Sequence, residues 1–182
     1  MAPAPLTKYS NVAHVILGFL AKADEPLSGY DIKQWVDTSV RFFFAASFGQ
    51  IYPELKKLNE AGLIEGVSNA TGGRARTEYS ITELGRKELR NWLLQPESRL
   101  EMRDEAVLRI FFSGDLAKEE KIAKLRQMRA DRVSSLETLK AVEAMTQDQI
   151  SDMPCLVLEY GLGLHQYVIG WCDQAIKAVE NQ

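Results

Sequence analysis

Histidine and cysteine are both scarce: the 182 residues contain only His14, His165, Cys155 and Cys172. Two cysteines make no disulfide framework. Both lie in an apolar helical pattern, where a free thiol acts as a small hydrophobe. No Ser/His/Asp or Cys/His arrangement, phosphate loop or metal-ligand cluster is present. Asp104 and Glu105 are adjacent and so point to different sides of a helix, unlike a catalytic pair. No enzyme activity, catalytic residue, cofactor or metal site is therefore expected. No apolar run reaches the ~20 residues of a membrane span, so no membrane partner is expected and the cytoplasm is the default location. Strong charge is missing as well. The net charge is −3, whereas nucleic-acid binders are usually basic. Residues 1–95 carry 11 Lys/Arg against 10 Asp/Glu, and residues 96–182 carry 11 against 15. The first half is thus near neutral, and any DNA contact there must rest on locally placed basic groups.

What is present is a folded chain, with 46% hydrophobic and 26% charged residues arguing against disorder. Near the start, Lys8, the apolar run from Val12 to Leu20, and Ala21-Lys22-Ala23 imitate a signal peptide. The competing reading is an amphipathic helix from Tyr9 to Ala23. Val12, Val15, Ile16, Phe19 and Leu20 share one face of it, with His14 and Gly18 off that face. The helix is preferred, because the downstream segments need it for their core.

Asp24-Glu25-Pro26 breaks this helix. Ser28 and Asp31 then make a capping box, with Leu27 and Ile32 spaced as a hydrophobic staple. The short second helix turns Ile32, Trp35 and Val36 inward and stops near Asp37-Thr38-Ser39. Ser47 and Gln50 repeat the capping pattern before a third helix with Ile51, Leu55, Leu58 and Gly62 on one face. Pro53 leaves two possibilities: a bend within the helix, or a helix that effectively starts near Ile51. Gly62 is a C-cap. Residues 63–68 and 74–81 read as strands joined by the turn-rich Asn69-Ala70-Thr71-Gly72-Gly73, with Tyr79 and Ile81 on one face. Thr82 caps a fourth helix bearing Leu84, Leu89, Trp92 and Leu93. Two short helices joined by a turn and followed by a hairpin form a winged helix-turn-helix.

Pro96 to Met102 reads as a hinge, so residues 1–95 are expected to form a DNA-binding domain and residues 96–182 a helical dimerisation domain. The fold class is mainly α with a small β-hairpin wing. Glu105 to Phe112 is a short helix. From Leu116 to about Thr146 runs a long helix with Ile122, Leu125, Met128, Val133, Leu136, Leu139 and Val142 on one side. Pro154 starts another, in which Val157, Tyr160, Leu164, Tyr167, Trp171 and Ala175 step by three and four. Leu156, Leu162, Val168, Ile169 and Ile176 broaden that stripe until one partner helix cannot cover it. A second subunit can, which nominates Tyr160, Leu164, Tyr167 and Trp171 for a homodimer interface. Gly161, Gly163 and Gly170 are places of close helix approach or of local looseness.

The chain resembles the PadR family of winged-helix transcriptional regulators. The matching pieces are Leu17-Gly18-Phe19-Leu20, Ser28-Gly29-Tyr30-Asp31-Ile32, Gly49-Gln50-Ile51-Tyr52-Pro53-Glu54-Leu55, Leu58-Asn59-Glu60-Ala61-Gly62-Leu63-Ile64, Gly73-Arg74 and Tyr79-Ser80-Ile81-Thr82-Glu83-Leu84-Gly85. Residues 96–182 resemble, more loosely, the larger C-terminal domain of the branch that includes virulence-gene activators. The resemblance implies a dimer that binds an operator in double-stranded DNA and often responds to a small molecule. The wing tip is shorter and less charged than is common in the family, which shifts wing contacts onto Arg74 and Arg76.

The DNA-contact set follows from the third helix and the wing. With Ile51, Leu55 and Leu58 inward, Ser47 and Gln50 stand at the helix start, and Lys57, flanked by Tyr52 and Lys56, lies on the outer side. Gln50 either reads adenine or closes its capping box, and cannot comfortably do both. Tyr52 offers a phosphate its hydroxyl or simply packs. Lys56 and Lys57 are phosphate candidates or ordinary surface lysines. Arg74 and Arg76 share a strand face and reach DNA or lie on a solvated hairpin. Lys33 and Arg41 are weaker candidates. Trp35, Phe42, Phe43, Phe44, Trp92 and Trp171 serve the core or line a cleft for a small aromatic effector. A winged helix used only for protein interaction is the competing function.

Overall fold

The computed structural model describes residues 8–44, 46–69, 76–96, 104–146 and 152–181. They fall into two compact units, Met1–Leu100 and Glu101–Gln182. Of the expected turn at residues 69–73, Asn69 ends a strand; residues 70–73, Arg74 and most of the expected hinge lie outside the described residues.

The first unit begins with α1, Asn11–Lys22, whose first turn is capped by the Ser10 hydroxyl accepting from the Ala13 N–H at 3.1 Å. The strand β1, Leu27–Ser28, leads into α2, Gly29–Thr38. A 3-10 turn, Val40–Phe42, precedes α3, Phe48–Glu60. Next come β2, Ile64–Asn69, β3, Arg76–Ile81, and α4, Glu83–Leu93. The sheet is antiparallel in the order β1-β3-β2. Leu27 pairs with Tyr79 and Gly66 with Tyr79 from the other side, so β3 is the central strand. Sequence reading missed β1, because two residues between helices carry no strand periodicity.

Each boundary has a local cause. Asp31 accepts from both the backbone N–H and the hydroxyl of Ser28, at 2.9 and 2.7 Å, fixing the start of α2. The helix α3 starts before Pro53 and continues through it. The missing N–H deprives the Gly49 carbonyl of its usual partner, and both residues are exposed to water. At the far end Gly62 takes φ +69°. Leu63 N–H then donates to Leu58 O at 2.9 Å and Gly62 N–H to Asn59 O at 3.0 Å, a Schellman ending that turns the chain into β2.

The core joins Ile16, Leu17 and Leu20 of α1 to Ile32 and Val36 of α2, Ile51, Leu55 and Leu58 of α3, and Ile64 of β2. The apolar run at residues 12–20 is therefore a core helix. His14 departs from expectation: it is buried, not off the apolar face. Its ring stacks on Trp92 of α4 at 4.7 Å and 7°. Leu84 and Leu93 also depart, being exposed, so α4 packs through Leu89 and Trp92.

The burial of His14 sets a pH dependence. Burial pushes its pKa down, against the opposing pull of Ser10 and the Glu88 carboxylate, whose Oε1 lies 3.7 Å from Nε2. The neutral imidazole is thus favoured by folding, and the unfolded chain takes up the proton first. The stabilisation is present above about pH 6.5 and is lost as pH falls below it. The wild-type thermal midpoint should drop more between pH 7.5 and 5.5 than that of His14→Phe, which keeps a stacking ring. Equal drops would show that His14 carries none of the dependence.

In the second unit α5, Glu105–Phe111, precedes α6, Lys118–Thr146, and α7, Asp152–Glu180. Arg129 Nε to Asp173 at 2.7 Å and Arg126 to Glu180 at 3.6 Å fix α6 and α7 as an antiparallel hairpin. Leu125, Met128 and Leu139 of α6 and His165 and Cys172 of α7 are buried. Asp104 caps α5 through Ala106 and Val107 N–H and also binds Arg132, a structural role. Of the three helical glycines, only Gly161 marks close approach: a Cβ there would stand 3.2 Å from Leu139 Cδ1, whereas Gly163 and Gly170 have open space. Among the described residues no helix is long and apolar enough to cross a membrane.

Candidate nucleic-acid interface

The α3 helix is two-sided. Ile51, Leu55 and Leu58 are fully buried, while Ser47, Phe48, Gln50, Tyr52, Lys56 and Lys57 are exposed. Five expected contact residues therefore come together on one solvent-facing surface. Gln50 closes its box: the Ser47 N–H and Oγ–H both donate to Gln50 Oε1, at 3.0 and 3.2 Å. Bidentate adenine recognition needs that same oxygen. Base reading by Gln50 thus requires the cap to open.

The lysines are paired along the helix. Lys57 Nζ lies 2.9 Å from Glu54, and Lys56 Nζ lies 3.8 Å from Glu60. Exposed pairs of this kind contribute at most about 1 kcal/mol, so a phosphate can displace them. Lys33 bonds Asp37, and the Arg41 guanidinium sits 5.7 Å from the Phe42 ring centre.

On the wing, Arg76 bonds Asp31 of α2 and lies 3.5 Å from Glu78. Asp31 thereby joins the N-terminus of α2 to β3. Burial alone would push its carboxyl up, but Ser28 and the Arg76 guanidinium hold it below the usual carboxylate range. At pH 7 it is a full negative charge against Arg76. No local spacing signals this pairing, because residues 31 and 76 are brought together by the β1–β3 pairing. Asn59 adds a second tie: its Oδ1 accepts from the Gly66 N–H at 2.9 Å, holding β2 to the end of α3.

Sequence reading also missed a run of aromatic rings on the same surface. Tyr30, Phe48 and Tyr52 stack in order, with ring centres 6.4 and 6.1 Å apart. The available signal was an apolar residue at the first position of a capped helix whose inner face was already complete. The Tyr52 ring lies against Gly29, where a Cβ would fall 2.7 Å from Tyr52 Cε1. The expected dimer residues Tyr160, Leu164, Tyr167 and Trp171 all lie on α7 in the second unit, and all are exposed.

Known proteins are similar to this chain in sequence and fold. Residues 16–91 match the Transcriptional regulator PadR-like family, and residues 102–180 match the Virulence activator alpha C-term family. The Negative transcriptional regulator PadR of Bacillus subtilis is 29% identical over 177 residues, covering 92% of this chain and 96% of that protein. The structure of B. subtilis PadR in complex with operator DNA has a TM-score of 0.81 at 27% identity, covering 93% of this chain and 99% of that one. The same relative in complex with p-coumaric acid gives a TM-score of 0.74 at 27% identity, covering 93% and 98%.

Proposed function

The chain belongs to the PadR-like family of transcriptional regulators, and from that membership we propose that it acts in the cytoplasm as a homodimer on an inverted-repeat operator. The observation that carries this reading is the outer surface of α3, where Ser47, Tyr52, Lys56 and Lys57 face solvent opposite a fully buried inner side. A recognition helix is placed in the major groove in that way. In this reading residues 1–95 bind DNA and residues 96–182 pair the two copies. Ser47, Tyr52, Lys56 and Lys57 meet the backbone, while Arg74 and Arg76 serve the wing. Gln50 holds the start of α3 and reads a base only where its cap opens. The operator-bound relative supports the DNA partner, and the p-coumaric acid complex supports a small aromatic effector.

The test is a salt titration on a duplex selected by the full chain from a random library. Each phosphate contact removed lowers the slope of log K against log salt by about 0.9. Lys57→Ala and Arg74→Ala should each lower it by about that amount and weaken all sequences alike. Gln50→Ala should leave the slope unchanged and lower thermal stability. Arg76→Ala should lower both the slope and the thermal stability, since its guanidinium also holds Asp31. Salt-independent behaviour, with no duplex enriched, would favour the winged helix as a protein-interaction module.

A further inference from the structure

The first turn of α3 displays more apolar surface than a phosphate-binding helix needs. Tyr30, Phe48 and Tyr52 are 55%, 44% and 51% exposed, and their rings lie within 15° and 22° of parallel. The stack is held from several sides. Gln34 Nε2 donates to the Tyr30 hydroxyl at 3.3 Å, the Lys33 ammonium lies 5.6 Å from the Phe48 ring centre, and Tyr52 rests on Gly29. Phe48 is the middle ring and has no polar atom. Any small polar residue would serve as well at that helix position, so neither capping nor the core explains a phenyl ring there.

The first turn of a recognition helix is the part that reaches base edges. In this chain its amide reader, Gln50, has its oxygen committed to Ser47. An apolar side chain can distinguish one feature of the major groove, the C5-methyl group of thymine. A ring fixed between two others has little rotational freedom left to lose on binding. Resting on the operator reading above, we propose that Phe48, held between Tyr30 and Tyr52, is a specificity residue that reads the 5-methyl group of one thymine in each half-site.

Deoxyuridine tests this directly, because it keeps the base pair and removes only the methyl. The full chain first selects its preferred duplex from a random double-stranded library, and each thymine of that duplex is then replaced singly. At one thymine in each half-site, the replacement should weaken wild-type binding about fourfold, and replacing both should weaken it about fifteenfold. Phe48→Ala should bind the thymine and deoxyuridine duplexes equally. Phe48→Leu keeps an apolar side chain and should retain part of the preference, which separates loss of reading from loss of fold. Wild type indifferent to deoxyuridine at every position, or a thymine preference unchanged in both variants, overturns the assignment while operator binding stands. Failure to enrich any duplex removes the operator reading and this assignment together, leaving the ladder as a surface for a protein partner.

Discussion

Gly85→Ala should cost the winged unit about 3 kcal/mol or prevent its folding, although alanine is the better helix former by about 1 kcal/mol. A Cβ at position 85 would stand 2.1 Å from the Leu63 carbonyl oxygen and 2.8 Å from Ile81 Cγ1. The carbonyl cannot swing aside cheaply. It accepts the Thr82 N–H at 3.1 Å and the Thr82 hydroxyl at 3.0 Å, the bonds that join the end of the wing to the ending of α3. Relief would therefore break the seam on which α4 is mounted. Gly18→Ala is the matched control. Gly18 is also helical, but nothing lies within 4 Å of its virtual Cβ, so alanine there should stabilise by up to about 1 kcal/mol. Urea unfolding of both variants decides the matter. A Gly85→Ala protein as stable as wild type would mean that α4 is free to shift away from Leu63.

This contrast marks how far the sequence was readable. Features fixed by neighbours three or four residues away were legible: the Ser28–Asp31 box, the Gly62 ending, the Thr82 cap and the inward faces of α3 and α6. Their physics is local, so spacing reports it. Features made by segments far apart were not. His14 looked like an off-face residue because helical spacing cannot show that α4 brings Trp92 over it. Gly85 was visible only as part of a motif, and the reason for it lies in the Leu63 carbonyl. Arg76 read as a free basic group, whereas the sheet carries it to Asp31. On the candidate interface the Ser47–Gln50 box was legible, being local, and the Arg76–Asp31 pair was not. Ser47, Gln50, Tyr52, Lys56 and Lys57 do share a surface, but spacing did not weigh Phe48, whose meaning depends on the rings either side of it.

Replacing Tyr167 and Trp171 together by Asp should convert a dimer into monomers and weaken operator binding by at least about a hundredfold, since paired half-site contacts multiply. The α7 helix spends one side on α6, where His165 and Cys172 are buried and Leu162, Val168, Ile169 and Ile176 are half-buried. Its other side carries Tyr160, Leu164, Tyr167 and Trp171, with Tyr167 70% and Trp171 37% exposed. Their spacing of four, three and four is that of a helix seam, and the same patch on a second copy would complete a two-fold, self-complementary contact. Covering a Tyr and a Trp stabilises association by a few kcal/mol, whereas a buried carboxylate opposes it strongly. Tyr167 stands mostly clear of its own chain and Trp171 is partly covered within it, so the far-ultraviolet helical signal, read beside the sedimentation, separates loss of pairing from loss of the hairpin. Sedimentation at micromolar concentration reads the result. A wild-type chain that sediments as a monomer, or a double variant that remains a dimer with full operator affinity, would place the pairing surface elsewhere than on this face of α7.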